Sequence, residues 1–297
     1  MSVQRFFKAR RFFITAVGIV FVLLFLCTGT LFADDTGERQ TLAFARAYPG
    51  RIAERAFRSG EWALRIGDSW YSWARGRLLP EEERLRWEEF TGLRFQYSKG
   101  LPPVRTLSDE EKKRLKEQLA HSKEKPPRRH EEFLSRLLEA GTQKEAESRL
   151  VRVSVMGFPL RIHKIAAESL AAVDADLKLL AEKDAEARRF FAGISHIGSF
   201  NWRPIAGTSS RSLHGYGLAL DFIAKSWGGK VYYWRSIMDK SEDWFELPYE
   251  KRWMIPLQVV EVFEKHGFIW GGKWLYFDTI HFEYRPEVML LLEGDLE

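Results

Sequence analysis

Two periods of apolar residues organise the C-terminal half of the chain. Val151, Val153 and Val155 alternate with Arg152 and Ser154, which predicts a half-buried strand ended by Gly157-Phe158-Pro159. Ile162, Ile165, Leu170, Val173, Leu177 and Leu180 then recur at near-helical spacing, predicting a helix over about 163–190 with one face on a core. His163 falls at its exposed start. The stretch 193–212 is polar and loop-like, and 214–224 leads into a second apolar strand. Gly228-Gly229 marks a turn, 231–234 an aromatic strand, and 239–252 a charged insertion. Pro256 starts a helix that runs to His266 and stops at Gly267, after which 268–274 and 279–284 read as closing strands. Strands interleaved with one or two helices, without regular alternation, indicate an α+β domain over 150–297: a small antiparallel sheet with flanking helices.

The pattern before residue 150 differs. Residues 34–107 mix Arg and Glu with Trp62, Trp70, Tyr71, Trp73 and Trp87, broken by Pro49-Gly50, Gly76 and Pro80. This predicts short helices whose aromatic stripe docks on the following domain or at a membrane interface. Residues 108–149 form a charged helical spacer with balanced signs and a Pro126-Pro127 break. There is no internal repeat.

The first segment reads as an address. Arg5, Lys8, Arg10 and Arg11 precede 22 uncharged residues, 12–33, followed at once by Asp34 and Asp35. Such a run is long enough to span a hydrocarbon core, and basic residues on its N-terminal side leave the remainder outside the cytoplasm. Cleavage after Ala33, retention as a membrane anchor and lipidation at Cys27 are all compatible with it. The expected location is the periplasm or cell envelope.

Composition narrows the chemistry. With 46 Lys plus Arg against 41 Asp plus Glu, the net charge of +5 gives no strong case for nucleic acid, although it suits an anionic membrane or wall. One cysteine excludes an internal disulfide, a four-cysteine zinc site and a cysteine-held iron–sulfur cluster, so any metal must sit on His and carboxylates. Two of the seven histidines lie where such a set is plausible. In 212–222, Gly215 and Gly217 permit a tight turn, so His214 and Asp221 can point at one centre from adjacent extended pieces. His281 is the obvious third ligand, and Asp278 is a carboxylate placed to take a proton from the water that zinc activates.

Ser212-x-His214-x-x-Gly217-x-Ala219-x-Asp221, followed by Gly271-Gly272-x-Trp274 and an acidic residue three before His281, resembles the zinc D-alanyl-D-alanine carboxypeptidases and related peptidoglycan peptidases, including L-alanyl-D-glutamate endolysins. The resemblance covers roughly 155–290 and implies the Hedgehog/DD-peptidase fold. It implies His214, Asp221 and His281 as zinc ligands, Asp278 as catalytic acid/base, Ser212 as a substrate hydrogen-bonding residue, and Arg203 as a clamp on a carboxylate or scissile carbonyl. The implied substrate is the peptidoglycan stem peptide, with a monomer expected and membrane contact only through an uncleaved N-terminal segment. Carboxypeptidases of this group often carry Glu where this chain has Asp278, and Asp is more familiar in the endopeptidase branch. A non-catalytic wall-binding module and an amidase or signalling relative on the same zinc fold are the other readings. Among the remaining histidines, His196 is placed to line the cleft. His266 suits a helix C-terminus.

Overall fold

The computed structural model describes residues 37–294. The segment expected to be membrane-directed, with Cys27 and Ala33, lies outside the described residues. Among the described residues, no helix is long and apolar enough to cross a membrane.

Helix α1 (Glu38–Ala47) buries Thr41, Ala43 and Phe44, and Thr41 Oγ1 donates to the Gly37 carbonyl at 2.7 Å. An antiparallel meander follows, with β1 (Glu54–Arg58), β2 (Glu61–Ile66), β3 (Ser69–Trp73) and β4 (Leu78–Pro80) in sequence order. The helical reading of 34–107 is thus corrected: one helix leads into a four-stranded sheet. The physical reason lies in the turns. Ser59-Gly60 and Gly67-Asp68 each leave two residues between paired strand ends, and Ser59, Gly60 and Gly67 take φ of 51°, 86° and 57°. Left-handed two-residue turns match the twist of a hairpin. The aromatic spacing is then a cross-strand one: Leu64 opposes Tyr71, Arg65 opposes Trp70 and Phe57 opposes Trp62. Leu64, Tyr71 and Trp73 are buried in the main core.

After a 3-10 turn at Glu81–Glu89 come α2 (Asp109–Glu124), α3 (Glu132–Leu137) and α4 (Gln143–Ser148). Capping boxes start α2 at Ser108 and α4 at Thr142. Of α2 only Leu115 is buried, in a cluster with Trp244 and Phe245. Against the charged-spacer expectation, α3 places Phe133, Leu134 and Leu137 in the core. Phe133 sets its ring edge against Phe44 at 5.2 Å and Tyr71 at 5.5 Å. Spacing so sparse in apolar residues conceals a core helix because one face of six residues suffices to bury three of them.

The remainder is α+β, as expected. Hairpin β5 (Leu150–Val155) and β6 (Phe158–His163) leads to α5 (Ala167–Lys183) and α6 (Ala185–Ala192). The single helix expected over 163–190 is therefore two, because Asp184 leaves helical geometry and its carboxylate accepts from Ala187 N at 2.8 Å as a new N-cap. Strands β7 (Ile194–Gly198) and β8 (Ala219–Ala224), the short α7 (Arg235–Met238), α8 (Leu257–Lys265), β9 (Phe268–Trp270), β10 (His281–Tyr284) and α9 (Pro286–Glu293) complete the chain. A four-stranded antiparallel sheet runs β7-β8-β10-β9. The aromatic stretch 231–234 makes only isolated bridges, Val231 to Arg252 and Tyr233 to Asp278, so it is not a strand.

Register decides what this sheet presents. Leu220 and Phe222 on β8, with Phe282 on β10, turn to one face and pack on α8, where Phe263 stacks on Phe282 at 4.1 Å. The opposite face carries Asp221, His281 and Glu283. One core cluster joins Phe44, Tyr71, Phe133, Leu137, Leu220, Phe263 and Phe282, so α1, the N-terminal meander and α3 share it with the C-terminal sheet and α8. Burying each such side chain contributes roughly 1.5–3 kcal/mol.

Candidate metal centre

Asp221 and His281 face each other directly across β8 and β10. His214 approaches from a 3-10 turn at Leu213–Tyr216, just before β8. Ser212 starts that turn, its Oγ accepting from His214 N at 3.3 Å, and Gly217 ends it at φ 70°. A side chain at Gly217 would place Cβ 2.5 Å from Leu150 Cδ2 and 3.0 Å from His163 N, so both the left-handed φ and the close approach require glycine.

The three side chains converge. His281 Nδ1 lies 2.8 Å from Asp221 Oδ1, His214 Nε2 lies 3.1 Å from Asp221 Oδ2, and the two imidazole nitrogens are 3.2 Å apart. A tetrahedral zinc with bonds of about 2.05 Å has ligand-to-ligand edges of about 3.3 Å, close to these separations. The tautomers also suit a metal. His214 Nδ1 donates to the Ser199 carbonyl at 2.6 Å, which leaves Nε2 as the free lone pair. His281 Nε2 donates to Glu283 Oε1 at 3.2 Å, which leaves Nδ1 turned to the centre. These are the only His, Cys, Asp or Glu side chains among the described residues that gather in this way.

Charge in the centre is strongly coupled. Burial works against the Asp221 carboxylate, but hydrogen bonds from His214 and His281 outweigh it and hold the group well below the carboxylate range. Burial also works against charge on His281, yet Asp221 and Glu283 together raise its pKa well above that of an ordinary imidazole. A divalent cation can take the place of these protons and balance the same carboxylates. The donor set therefore fits zinc: two imidazoles of fixed tautomer and one carboxylate, with no competing ligand.

Asp278 sits one tight turn before His281, whose N–H donates to the Asp278 carbonyl at 3.2 Å. The turn is clamped: Asp278 N donates to Gly271 O at 3.0 Å, and Trp270 Nε1 to Thr279 O at 2.8 Å. Burial pushes the Asp278 carboxyl up to about 6, and the charge of Asp221 adds to this while His281 and His214 oppose it. Its Oδ1 is buried without a hydrogen-bond partner among the described residues. A carboxylate that titrates near neutrality and has a free oxygen beside a metal-ligating group is equipped to accept and return a proton.

The other expected residues lie at the rim or beyond it. Ser212 is buried and caps the His214 turn. Ser212 N donates to Arg203 O at 3.0 Å, while the Arg203 guanidinium is exposed and donates to Pro204 O at 3.3 Å. Tyr233 bridges Asp278 in antiparallel fashion, and burial raises its phenol pKa. His196 is exposed on β7 and pairs with Ile223, on the sheet face that carries Asp221, but it is not one of the three converging side chains. His266 bonds Asp176 at 2.9 Å, away from the site. His163, expected to be exposed, is fully buried. Trp274 sets its ring 5.7 Å from that of His281, whereas Trp270 is core and Tyr276 packs on Trp234 and Trp244.

Sequence reasoning missed the supports behind the ligands. Glu283 is two residues after His281 on the same strand face, a spacing that alternation alone would have flagged. Glu131 carried no local signal: it arrives from the charged stretch to accept from Tyr216 Oη at 2.6 Å and Arg211 N at 2.9 Å, bracing the His214 turn from behind.

The comparisons agree with this geometry. Residues 206–284 match the family model described as D-alanyl-D-alanine carboxypeptidase, and that segment contains all three ligands and Asp278. The resemblance read from the motifs is therefore shown for this segment, and it supports a metallopeptidase whose donor set fits zinc. Residues 40–94 match a domain of unknown function, DUF8518. No curated protein and no solved structure matches the chain.

Proposed function

We propose that the chain is an exported zinc peptidase that hydrolyses peptidoglycan stem peptides as a D-alanyl-D-alanine carboxypeptidase. The observation that carries the reading is the joining, in one matched segment, of a convergent His214-Asp221-His281 group with Asp278, whose pKa is raised by burial and whose Oδ1 has no hydrogen-bond partner among the described residues. Bound zinc would polarise the scissile carbonyl and make water nucleophilic near neutral pH. Asp278 Oδ1 accepts the proton lost by the attacking water and returns it to the departing amine nitrogen. Trp274 walls the centre on the His281 side. Arg203, on the exposed side, meets the peptide's terminal carboxylate, and Ser212 borders the same path. The 12–33 run sends the remainder of the chain outside the cytoplasmic membrane, where that substrate lies, and the cationic balance favours approach to an anionic wall.

A second reading rests on Asp278 itself. Its shorter side chain, where carboxypeptidase relatives often carry Glu, favours an L-alanyl-D-glutamate-type endopeptidase. Defined muropeptides incubated with the full chain, with zinc or with chelator, and weighed by mass spectrometry decide between them. Metal-dependent loss of one Ala is the expected product. Internal cleavage would establish the endopeptidase, and intact peptides with zinc bound would remove both.

A further inference from the structure

We propose that Glu283 is a positioning residue for His281, and that its charge is fixed through Arg285 by the N-terminal part of the chain. This rests on the reading of His214, Asp221 and His281 as a metal site and deepens it.

The residues form a relay along one face of extended chain. His281 and Glu283 alternate on the site face of β10, and Arg285 is the next residue in that phase. Glu283 Oε1 meets His281 Nε2 at 3.2 Å, and its Oε2 lies 3.8 Å from Arg285 Nη1. Arg285 also pairs closely with Glu287, and its Nη2 donates to the Arg94 carbonyl at 3.0 Å. Glu287 is only 1% exposed and accepts from Tyr48 Oη at 3.0 Å. Tyr48 ends α1, and Tyr48 and Arg94 stand near the two ends of the segment matching the domain of unknown function.

Each link has a physical task. A carboxylate accepting from the outer nitrogen of an imidazole fixes its tautomer and orientation and makes the inner nitrogen a better metal donor. A carboxylate so enclosed needs a countercharge that does not compete for the metal, and Arg285 supplies one. Arg285 is thus held both by Glu287 and by the Arg94 carbonyl, and Tyr48 reaches Glu287 through a buried hydrogen bond, so the N-terminal part reaches His281 through polar contacts. That gives the N-terminal segment a role in the centre without touching it.

The test is zinc affinity of the full chain by competition with a chromophoric chelator, with thermal melting of each metal-free variant run alongside. Glu283→Gln is expected to bind zinc about 10–100-fold more weakly. Where that variant fails to fold, Glu283→Asp keeps the charge but withdraws it, and is expected to weaken binding by a smaller factor. Tyr48→Phe is expected to weaken binding about threefold in the parent and to have no further effect in the Glu283→Gln background, as members of one relay are not additive. Parent-like affinity in the Glu283 variant overturns the positioning role. An equal Tyr48→Phe loss in both backgrounds overturns the link to the N-terminal part. His281→Ala separates this from failure of the metal site: retained tight binding there sinks the site itself, whereas loss there with parent-like Glu283→Gln sinks only the relay.

Discussion

In the proposed mechanism, function and stability oppose each other most directly at Asp278. Its carboxyl pKa is raised to about 6 by burial, so the folded chain holds a proton that the unfolded chain has released above about 3.8. By linkage, the metal-free protein loses stability as pH rises from about 4 to about 6, and at neutral pH it carries the full cost of a desolvated carboxylate. Asp278→Asn removes that cost while removing the proposed proton acceptor. The variant is expected to lose about 10²–10⁴-fold in peptidase turnover, yet to be as stable as the parent or more stable by about 0.5–2 kcal/mol in metal-free urea unfolding at pH 7. An Asn variant that is clearly less stable would mean that Asp278 is a structural residue. That His214, Asp221 and His281 come together was legible in the sequence because the peptidase motif fixes their spacing. Their supports were not, because Ser199, Glu131 and Glu283 act through contacts that only the folded register creates.

At the scale of elements, the joint between β6 and α5 shows what periodicity cannot reveal. His163 ends β6 and caps the next turn, its Nδ1 accepting from Ile165 N at 3.1 Å while Nε2 donates to the Leu138 carbonyl at 2.9 Å. Only the neutral ring can do both, and burial lowers its pKa to about 4. A folded pKa below the unfolded one means full stability above about 6.5, lost progressively as pH falls towards about 4. At about 1.4 kcal/mol per pH unit the loss approaches 3 kcal/mol. His163→Asn, which keeps a cap but does not titrate, is expected to flatten the stability profile between pH 4 and 6.5; superimposable parent and variant slopes would refute it. The apolar pattern around residue 163 predicted a helix start because Ile162 and Ile165 belong to both readings. The strand-to-helix break is decided by the side-chain cap and by the carbonyl of Leu138, which caps the end of α3. The N-terminal meander was hidden for a related reason. Its tryptophans pair across strands, and the two-residue turns Ser59-Gly60 and Gly67-Asp68 were the local signal that helical spacing overrode.

At the scale of the whole molecule, the matched peptidase segment is not self-sufficient. Leu220, Phe263 and Phe282 behind the site share their core with Phe44, Tyr71 and Trp73 from the N-terminal part and with Phe133, Leu137 and Leu138 from α3. Polar locks reinforce this. Lys273, one residue before Trp274, is buried against Glu264 at 2.5 Å, and Tyr97 donates to the same carboxylate while accepting from Trp270 N at 2.8 Å. Lys273 Nζ also donates to the Ser98 carbonyl at 3.0 Å, so removing Tyr97 and Ser98 would leave this ion pair short of partners in the interior, at a cost of about 1–3 kcal/mol. Deleting Phe44, Tyr71 and Phe133 together would expose apolar surface worth several kcal/mol more, at roughly 1.5–3 kcal/mol each. Net stabilities of about 5–15 kcal/mol do not absorb such a sum. Residues 150–297 expressed alone are therefore expected to lack cooperative thermal unfolding and to bind zinc far more weakly than the full chain, with cleavage by a nonspecific protease throughout. A cooperative melt and parent-like zinc affinity in that fragment would show instead that the N-terminal part is an appendage, and the charged, aromatic stretch before residue 150 would need a role outside the fold.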